Sequence, residues 1–198
     1  MIQEINYKGA KSAKTILRLF VLPDETFVTV IKEKHFKDIR AWGIVMADVL
    51  SHVIVNLEKM HKVSRNVACE RIFLAMHGDS SLDDVVYYPL YKKLPKEFVI
   101  MSPPPIEFLR VAEEKKTNNC VIVFNSCLPH PEPWGYILRT CIKAIGLFEA
   151  SGDQIKAAEF IQKITELANK EWQNPTTNLY GGYSFNGEKP KMSKVQEV

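Results

Sequence analysis

The chain carries Trp42-Gly43 and Trp134-Gly135, and each pair follows a Leu-Arg pair at the same distance. Counted along the sequence, Trp42 comes 24 residues after Arg18, and Trp134 comes 24 residues after Arg110. One offset of 92 residues, counted from Arg18 to Arg110, therefore superimposes both landmarks. A repeat at a fixed offset indicates one module present twice. The sequence thus predicts an internal duplication.

The first predicted copy, residues 1–78, has the pattern of two strands followed by two helices. Residues 16–22 and 26–31 are rich in β-branched and aromatic side chains, and the turn-forming Pro23-Asp24-Glu25 separates them. Asp38 is predicted to cap a long apolar helix that begins near Trp42. A second helix is predicted at about residues 64–76, with Gly78 as its stop.

The second predicted copy, residues 105–183, repeats this order. Strands are predicted at 106–111 and 120–124, and a helix follows His130, where prolines are tolerated in the first turn. The last helix is predicted at about 153–172, because its apolar side chains recur at helical spacing.

These elements predict an α+β fold in which both copies share one antiparallel sheet with helices packed on it. A two-stranded hairpin is marginal alone, so the copies are expected to form one compact unit about a pseudo-twofold axis. Residues 79–104 are predicted to be a connector rich in tyrosine and proline. Residues 184–198 are nearly devoid of apolar side chains and are predicted to be a disordered tail.

Composition narrows the classes of function. The 198 residues are 46% hydrophobic and 25% charged, which is ordinary for a globular protein. A net charge of +3, with dispersed basic residues, argues against nucleic-acid binding. The four cysteines and five histidines show no metal-ligand spacing, and no glycine-rich phosphate loop is present, so we expect neither a metal nor a cofactor. Reduced thiols and the lack of a signal or membrane-spanning pattern predict a cytoplasmic protein without membrane insertion.

Three motifs of the second copy carry a family resemblance. They are Phe108-Leu109-Arg110-Val111, Glu132-Pro133-Trp134-Gly135 and Glu171-Trp172-Gln173-Asn174-Pro175-Thr176. In this order they resemble the strand, helix and closing motifs of a bacterial family, domain of unknown function family 5076. The first copy matches at Leu17-Arg18 and at residues 41–48, but it lacks the closing motif. The resemblance implies a shared fold and a bacterial origin, and it implies no activity.

Two pairs of side chains have catalytic character. Asp48 and His52 are spaced i, i+4, so on a helix the carboxylate can orient the imidazole. The alternative is a partly exposed helical ion pair, because a triad also needs a nucleophile and Ser51 does not share the helix face of His52. Cys127 lies near His130 at a predicted helix start, where the helix dipole lowers a thiol pKa. The alternative there is an ordinary free cysteine beside a capping histidine. The second copy has Thr140 and Ala144 where the first has Asp48 and His52.

A set of aromatic side chains outside the predicted elements points to binding of another protein. Exposed aromatic residues are typical of protein interfaces, although packing between the copies explains them equally well. The set is Tyr87, Tyr88, Tyr91, Trp172 and Tyr180.

The leading functional hypothesis is a non-enzymatic protein-binding module, an adaptor or small subunit of a bacterial complex built as a monomeric pseudo-dimer or as a homodimer. It follows from a complete apolar core without a catalytic constellation. The alternative is a small-molecule-binding protein, or an enzyme, whose site lies at the seam between the copies. Asp48, His52, Cys127 and His130 are the candidate residues for that alternative.

Overall fold

The fold is α+β, as predicted, and comes from a computed structural model that describes residues 13–78, 81–90, 94–114, 120–125, 128–173 and 194–197. The strands are β1 (Ala13–Val21), β2 (Phe27–Ile31), β3 (Val86–Pro89), β4 (Ile106–Glu114), β5 (Cys120–Phe124) and β6 (Lys194–Glu197). The helices are α1 (Ala41–His61), α2 (Arg65–Met76), α3 (Lys96–Ile100), α4 (Pro131–Glu149) and α5 (Gln154–Gln173).

The chain divides into two compact units that each take elements from both predicted copies. The sheet unit comprises Met1–Lys37, Val85–Asn125 and Tyr180–Val198, and holds every strand named above together with α3. The helical unit comprises Asp38–Asp84 and Ser126–Leu179, and holds α1, α2, α4 and α5. The structural division therefore separates the strands from the four long helices. The predicted boundaries instead separate one predicted copy from the next.

The sheet is mixed, with the strand order β3-β2-β1-β4-β5-β6. Its four inner strands are antiparallel, but β3 runs parallel to β2 and β6 runs parallel to β5. The prediction of a wholly antiparallel sheet is therefore wrong at both ends. Parallel pairing needs a long crossover, and the chain passes through the helical unit before both β3 and β6. Strand β6 lies within the stretch 184–198, for which we expected disorder.

The pairing of β1 with β4 places Arg18 directly opposite Arg110. Two register shifts flank this pair, one between Thr15 and Leu17 and one where Phe20 pairs with Glu107. They skip Ile16 and Phe108, so each strand has one residue without a partner at these points. A β-bulge of this kind changes the face on which the adjacent side chain lies.

One face of the sheet unit is covered by the segment that follows β3. Phe20 and Val28 belong to a buried cluster that also contains Tyr88, Phe98 and Met101. Tyr88 and Phe98 meet edge to face with ring centroids 5.9 Å apart. Much of the predicted connector 79–104 is thus an ordered part of the core, because β3 and α3 supply its apolar side chains.

Each long helix of the helical unit packs against a helix from the other predicted copy. At Gly43 in α1, an added Cβ would lie 2.6 Å from the carbonyl oxygen of Ile164 in α5. At Gly135 in α4, an added Cβ would lie 2.5 Å from the carbonyl oxygen of Ile72 in α2. The glycines therefore allow the backbone of one helix to approach the backbone of the other.

The tryptophans beside these glycines are core residues. Trp42 and Trp134 are both buried at the first turn of their helices. By length and composition α1 could cross a membrane, but 78% of its most apolar window is buried in the protein. Such burial is typical of a core helix in a soluble protein.

Candidate functional site

A groove lies in the helical unit where elements of both predicted copies meet, and we call it the seam groove. It has a volume of about 400 Å³. The end of α2 borders it from the first copy, and α4 and α5 border it from the second. Its apolar lining residues are Met76, Leu82, Ile142, Ala158 and Ile161.

Two cationic side chains stand at one side of the seam groove. Arg139 and Lys143 are one turn apart on α4, and both line the groove. The Arg139 guanidinium lies 5.1 Å from the centroid of the Tyr136 ring. The Lys143 ammonium donates a hydrogen bond of 2.6 Å to the carbonyl oxygen of Ser81. Both positive charges therefore lie beside the apolar lining of the groove.

Helix α5 contributes polar side chains to the seam groove. Gln162 donates a 2.7 Å hydrogen bond to the Glu166 carboxylate, and both side chains are exposed. The Thr165 hydroxyl donates to the carbonyl oxygen of Ile161. None of these groove residues was among the site residues predicted from sequence. Their only signal there was the apolar stripe of α5, which is equally typical of a buried helix face.

The predicted Asp48–His52 pair is formed. The Asp48 Oδ1 and His52 Nε2 atoms are 3.3 Å apart, and both side chains are buried. The neighbouring Ser51 hydroxyl donates to the carbonyl oxygen of Ala47, so it is engaged with its own helix. Neither Asp48 nor His52 lines the seam groove. The two side chains therefore contact each other within α1, and both are buried, whereas the alternative interpretation placed a partly exposed ion pair there.

The predicted Cys127–His130 pair is only partly described. Cys127 lies outside the described residues, and His130 occupies the N-cap position of α4 with an extended backbone. The His130 side chain makes no capping hydrogen bond and is exposed. Its neighbour Glu132 accepts a 3.0 Å hydrogen bond from Arg71 of α2.

The described members of the predicted aromatic set pack within their own units. Tyr87 and Tyr88 are half-buried in β3, where Tyr88 contributes to the core cluster. Trp172 is half-buried in α5, with its ring 6.2 Å from that of Phe73. Tyr91 and Tyr180 lie outside the described residues.

A charged cluster that the sequence did not predict lies on the sheet. Arg18 donates two hydrogen bonds to Glu107, of 2.7 and 3.1 Å, and Arg110 donates two more, of 2.7 and 2.5 Å. The Glu107 side chain is fully buried, whereas those of Arg18 and Arg110 are 18% and 15% exposed. Arg18 and Arg110, which the predicted repeat relates to each other, thus share the Glu107 carboxylate.

The two arginines keep Glu107 ionised. Burial of the carboxylate raises its pKa. Hydrogen bonds from Arg110 and Arg18, together with their positive charges, lower this pKa by more than burial raises it. The net result is a pKa below the ordinary value of 4.5. The cluster therefore combines one negative charge with two positive charges, and it carries a net charge of +1.

His35 lies among basic side chains of the same unit. The Lys32 ammonium is 3.0 Å from His35 Nδ1, and the Glu113 carboxylate is 3.2 Å from His35 Nε2. Burial, and then the positive charges of Lys32 and Lys14, lower the pKa of His35 from 6.5 to about 4. His35 is therefore neutral at physiological pH, and Lys32 donates to its unprotonated Nδ1.

The buried, neutral His35 predicts a pH-dependent stability. Between pH 6.5 and about 4 the unfolded chain binds a proton at His35 that the folded protein does not bind. The free energy of unfolding should therefore fall on acidification through this range, by about 1 to 3 kcal/mol from this group. Urea unfolding at pH 7 and at pH 5 measures this change. The free energy of unfolding should fall less between the two pH values for His35→Gln than for the wild type. The exposed His77, changed to Gln, is the matched control and should leave the wild-type loss intact.

Comparison with known protein families, with curated proteins and with solved structures finds no match to this chain.

Proposed function

We propose that the protein binds a small amphiphilic molecule with an acidic group in the seam groove. The observation that carries this proposal is a cavity of about 400 Å³ whose lining combines apolar side chains with polar and charged ones. Small-molecule sites typically have volumes of about 300 to 1,000 Å³ and this same division of apolar and polar lining. The proposal shares with the alternative derived from sequence a site at the seam between the copies, but Asp48, His52 and His130 do not line it.

The charges of the lining favour an anionic ligand group. Arg139 and Lys143 of α4 supply two positive charges, and Glu166 of α5 supplies one negative charge. The exposed Glu166 carboxylate already accepts a hydrogen bond from Gln162. An acidic group placed beside α4 would meet two cations, while its apolar body would cover Ile142 and Ile161. Charged groups near a protein surface attract more strongly where an apolar wall excludes water.

Filling the groove should weaken the binding of an amphiphilic fluorescent probe. Anilinonaphthalene sulfonate combines an apolar body with an anionic group, and its fluorescence rises on transfer from water to an apolar site. Ala158→Phe adds a ring at an exposed lining position of α5 and should weaken probe binding by about tenfold or more, which corresponds to about 1.4 kcal/mol. Gln154→Phe adds the same ring to the same helix outside the groove and should leave binding unchanged. Equal affinities for both variants would contradict the proposal.

The acidic group can be tested within the same experiment. N-phenylnaphthylamine has the same apolar body without the sulfonate. Lys143→Met should weaken binding of the sulfonate by about threefold or more and leave the neutral probe within about twofold. An equal effect on both probes would show that Lys143 acts on the shape of the groove instead of on ligand charge.

We also propose that the two halves arose by duplication. The offset of 92 residues relates Arg18 to Arg110, which are opposite each other in the sheet, and it relates the two residues skipped at the bulges, Ile16 and Phe108. It also relates Gly43 to Gly135, each of which receives a helix from the other half. These three coincidences concern the sheet and the helices separately. The resemblance to family 5076 stays a prediction.

The protein-binding role expected from sequence stays a second hypothesis. Two of the aromatic side chains that motivated it, Tyr88 and Trp172, pack against Phe98 and Phe73, which weakens its support. A cytoplasmic location is part of the proposal.

A further inference from the structure

We propose that the sheet unit has a second site, independent of the seam groove, which binds the phosphate group of a small molecule beside Arg18 and Arg110. A cavity of about 640 Å³ lies there. Its lining includes both arginines together with Lys14, Lys32 and Thr15. We call it the basic pocket.

The basic pocket lies at the place that corresponds, in the proposed repeat, to the Glu107 carboxylate. Glu107 directly precedes the bulge residue Phe108, and Thr15 directly precedes the bulge residue Ile16. The same offset of 92 residues therefore pairs Glu107 with Thr15. On one side of the arginine pair a carboxylate of the chain accepts four hydrogen bonds. On the other side stands the short hydroxyl of Thr15, beside a cavity. An external oxyanion in that cavity would approach the same two guanidinium groups that Glu107 contacts.

The charges around the basic pocket favour phosphate over a carboxylate. Four cations line it, Lys14, Lys32 and the two arginines, while Glu33 is the acidic side chain in its lining. Glu107 neutralises one of the arginines, and Glu113 lies opposite Lys14 in the strand register. One positive charge remains after all three carboxylates are counted, which favours an anion. The several donors of the lining favour phosphate, because it offers more acceptor oxygens than a carboxylate.

The pKa of His35 reports on the same positive field. The charges of Lys32 and Lys14 contribute to lowering it, so an anion between these lysines would be stabilised by them. Arginine and lysine both recognise phosphate, the first through two parallel hydrogen bonds and the second as a point charge. The pocket holds two of each.

The test places a carboxylate of the protein in the basic pocket by substitution of Thr15. Inorganic phosphate is titrated into the full-length protein at constant ionic strength, and binding is followed by calorimetry. The wild type should show saturable binding to one site. Thr15→Glu should weaken it by about tenfold or more and raise the melting temperature, because the new carboxylate can pair with the arginines as Glu107 does. Thr15→Gln has nearly the same shape without the charge and should bind more tightly than Thr15→Glu.

Further variants separate this site from nonspecific attraction. Lys32→Met should weaken phosphate binding by about threefold or more. Lys37→Gln, at an exposed position of the sheet unit outside the pocket, makes the same change in net charge as Thr15→Glu and should leave binding unchanged. Ala158→Phe in the seam groove should also leave it unchanged. Absence of saturable binding to the wild type, equal weakening by Lys37→Gln, or tighter binding of acetate than of phosphate would each overturn the proposal.

Discussion

Replacing Gly135 by alanine is expected to lower the free energy of unfolding by about 3 kcal/mol, and Gly43→Ala by a similar amount. At Gly135 the new methyl group would lie 2.5 Å from both the Ala75 Cβ and the Ile72 carbonyl oxygen. At Gly43 it would lie 2.6 Å from the Ile164 carbonyl oxygen. Backbone atoms of a packed helix cannot move aside locally, so α2 or α5 must shift as a whole. The intrinsic helix preference of alanine offsets only about 1 kcal/mol of this loss.

Gly78→Ala is the matched control for both substitutions. Its new methyl group would meet the guanidinium of Arg139, the far end of a flexible side chain that can rotate away. The change in stability should therefore stay within about 1 kcal/mol. Denaturant unfolding of the three variants provides the measurement. A large loss at Gly43 with none at Gly135, or the reverse, would contradict the equivalence of the two positions that the proposed duplication requires.

Sequence reasoning succeeded where a local pattern decides the element. The β5 prediction has the observed bounds, and the predicted helices α2 and α5 are each within a residue of the observed ones. Apolar spacing and turn residues suffice for such elements.

The prediction that Asp38 caps α1 was wrong. Its carboxylate accepts the Arg40 N–H at 2.9 Å, and the N-cap of α1 is Arg40 itself. Strand β3 was missed because its four half-buried residues are ordered by pairing with distant β2.

The charged cluster shows why the sites themselves were harder to predict. Strict alternation along β4 places Glu107 and Arg110 on opposite faces of the sheet. The bulge at Phe108 reverses this relation and brings the two side chains together. A bulge depends on how two strands pair, so no single segment reveals it. The seam groove likewise depends on how α2, α4 and α5 pack, and its apolar lining has the same pattern as a buried core.

Glu107→Gln is expected to destabilise the protein by about 3 kcal/mol at pH 7, because it leaves two largely buried guanidinium groups without their shared carboxylate. The pKa of Glu107 in the folded protein is below its ordinary value of 4.5, so its ionisation contributes stability above that pH. This contribution is lost as the pH falls through the lower, folded-state pKa. The difference between wild type and variant should therefore be full at pH 7 and shrink towards pH 3. Glu33→Gln, at an exposed carboxylate of the same unit, should cost less than about 1 kcal/mol.

A triple variant, Arg18→Met with Glu107→Met and Arg110→Met, separates stability from binding. Buried ion clusters replaced as a whole by apolar side chains often leave stability unchanged or increase it, although removal of one member is costly. We therefore expect the triple variant to regain most of the stability that Glu107→Gln loses. Phosphate binding should nevertheless disappear, because the basic pocket would lack both arginines. A triple variant that unfolds as readily as Glu107→Gln would indicate that the cluster is needed for the fold itself. Retained phosphate binding would show that the arginines do not form the site, and that the lysines alone attract the anion.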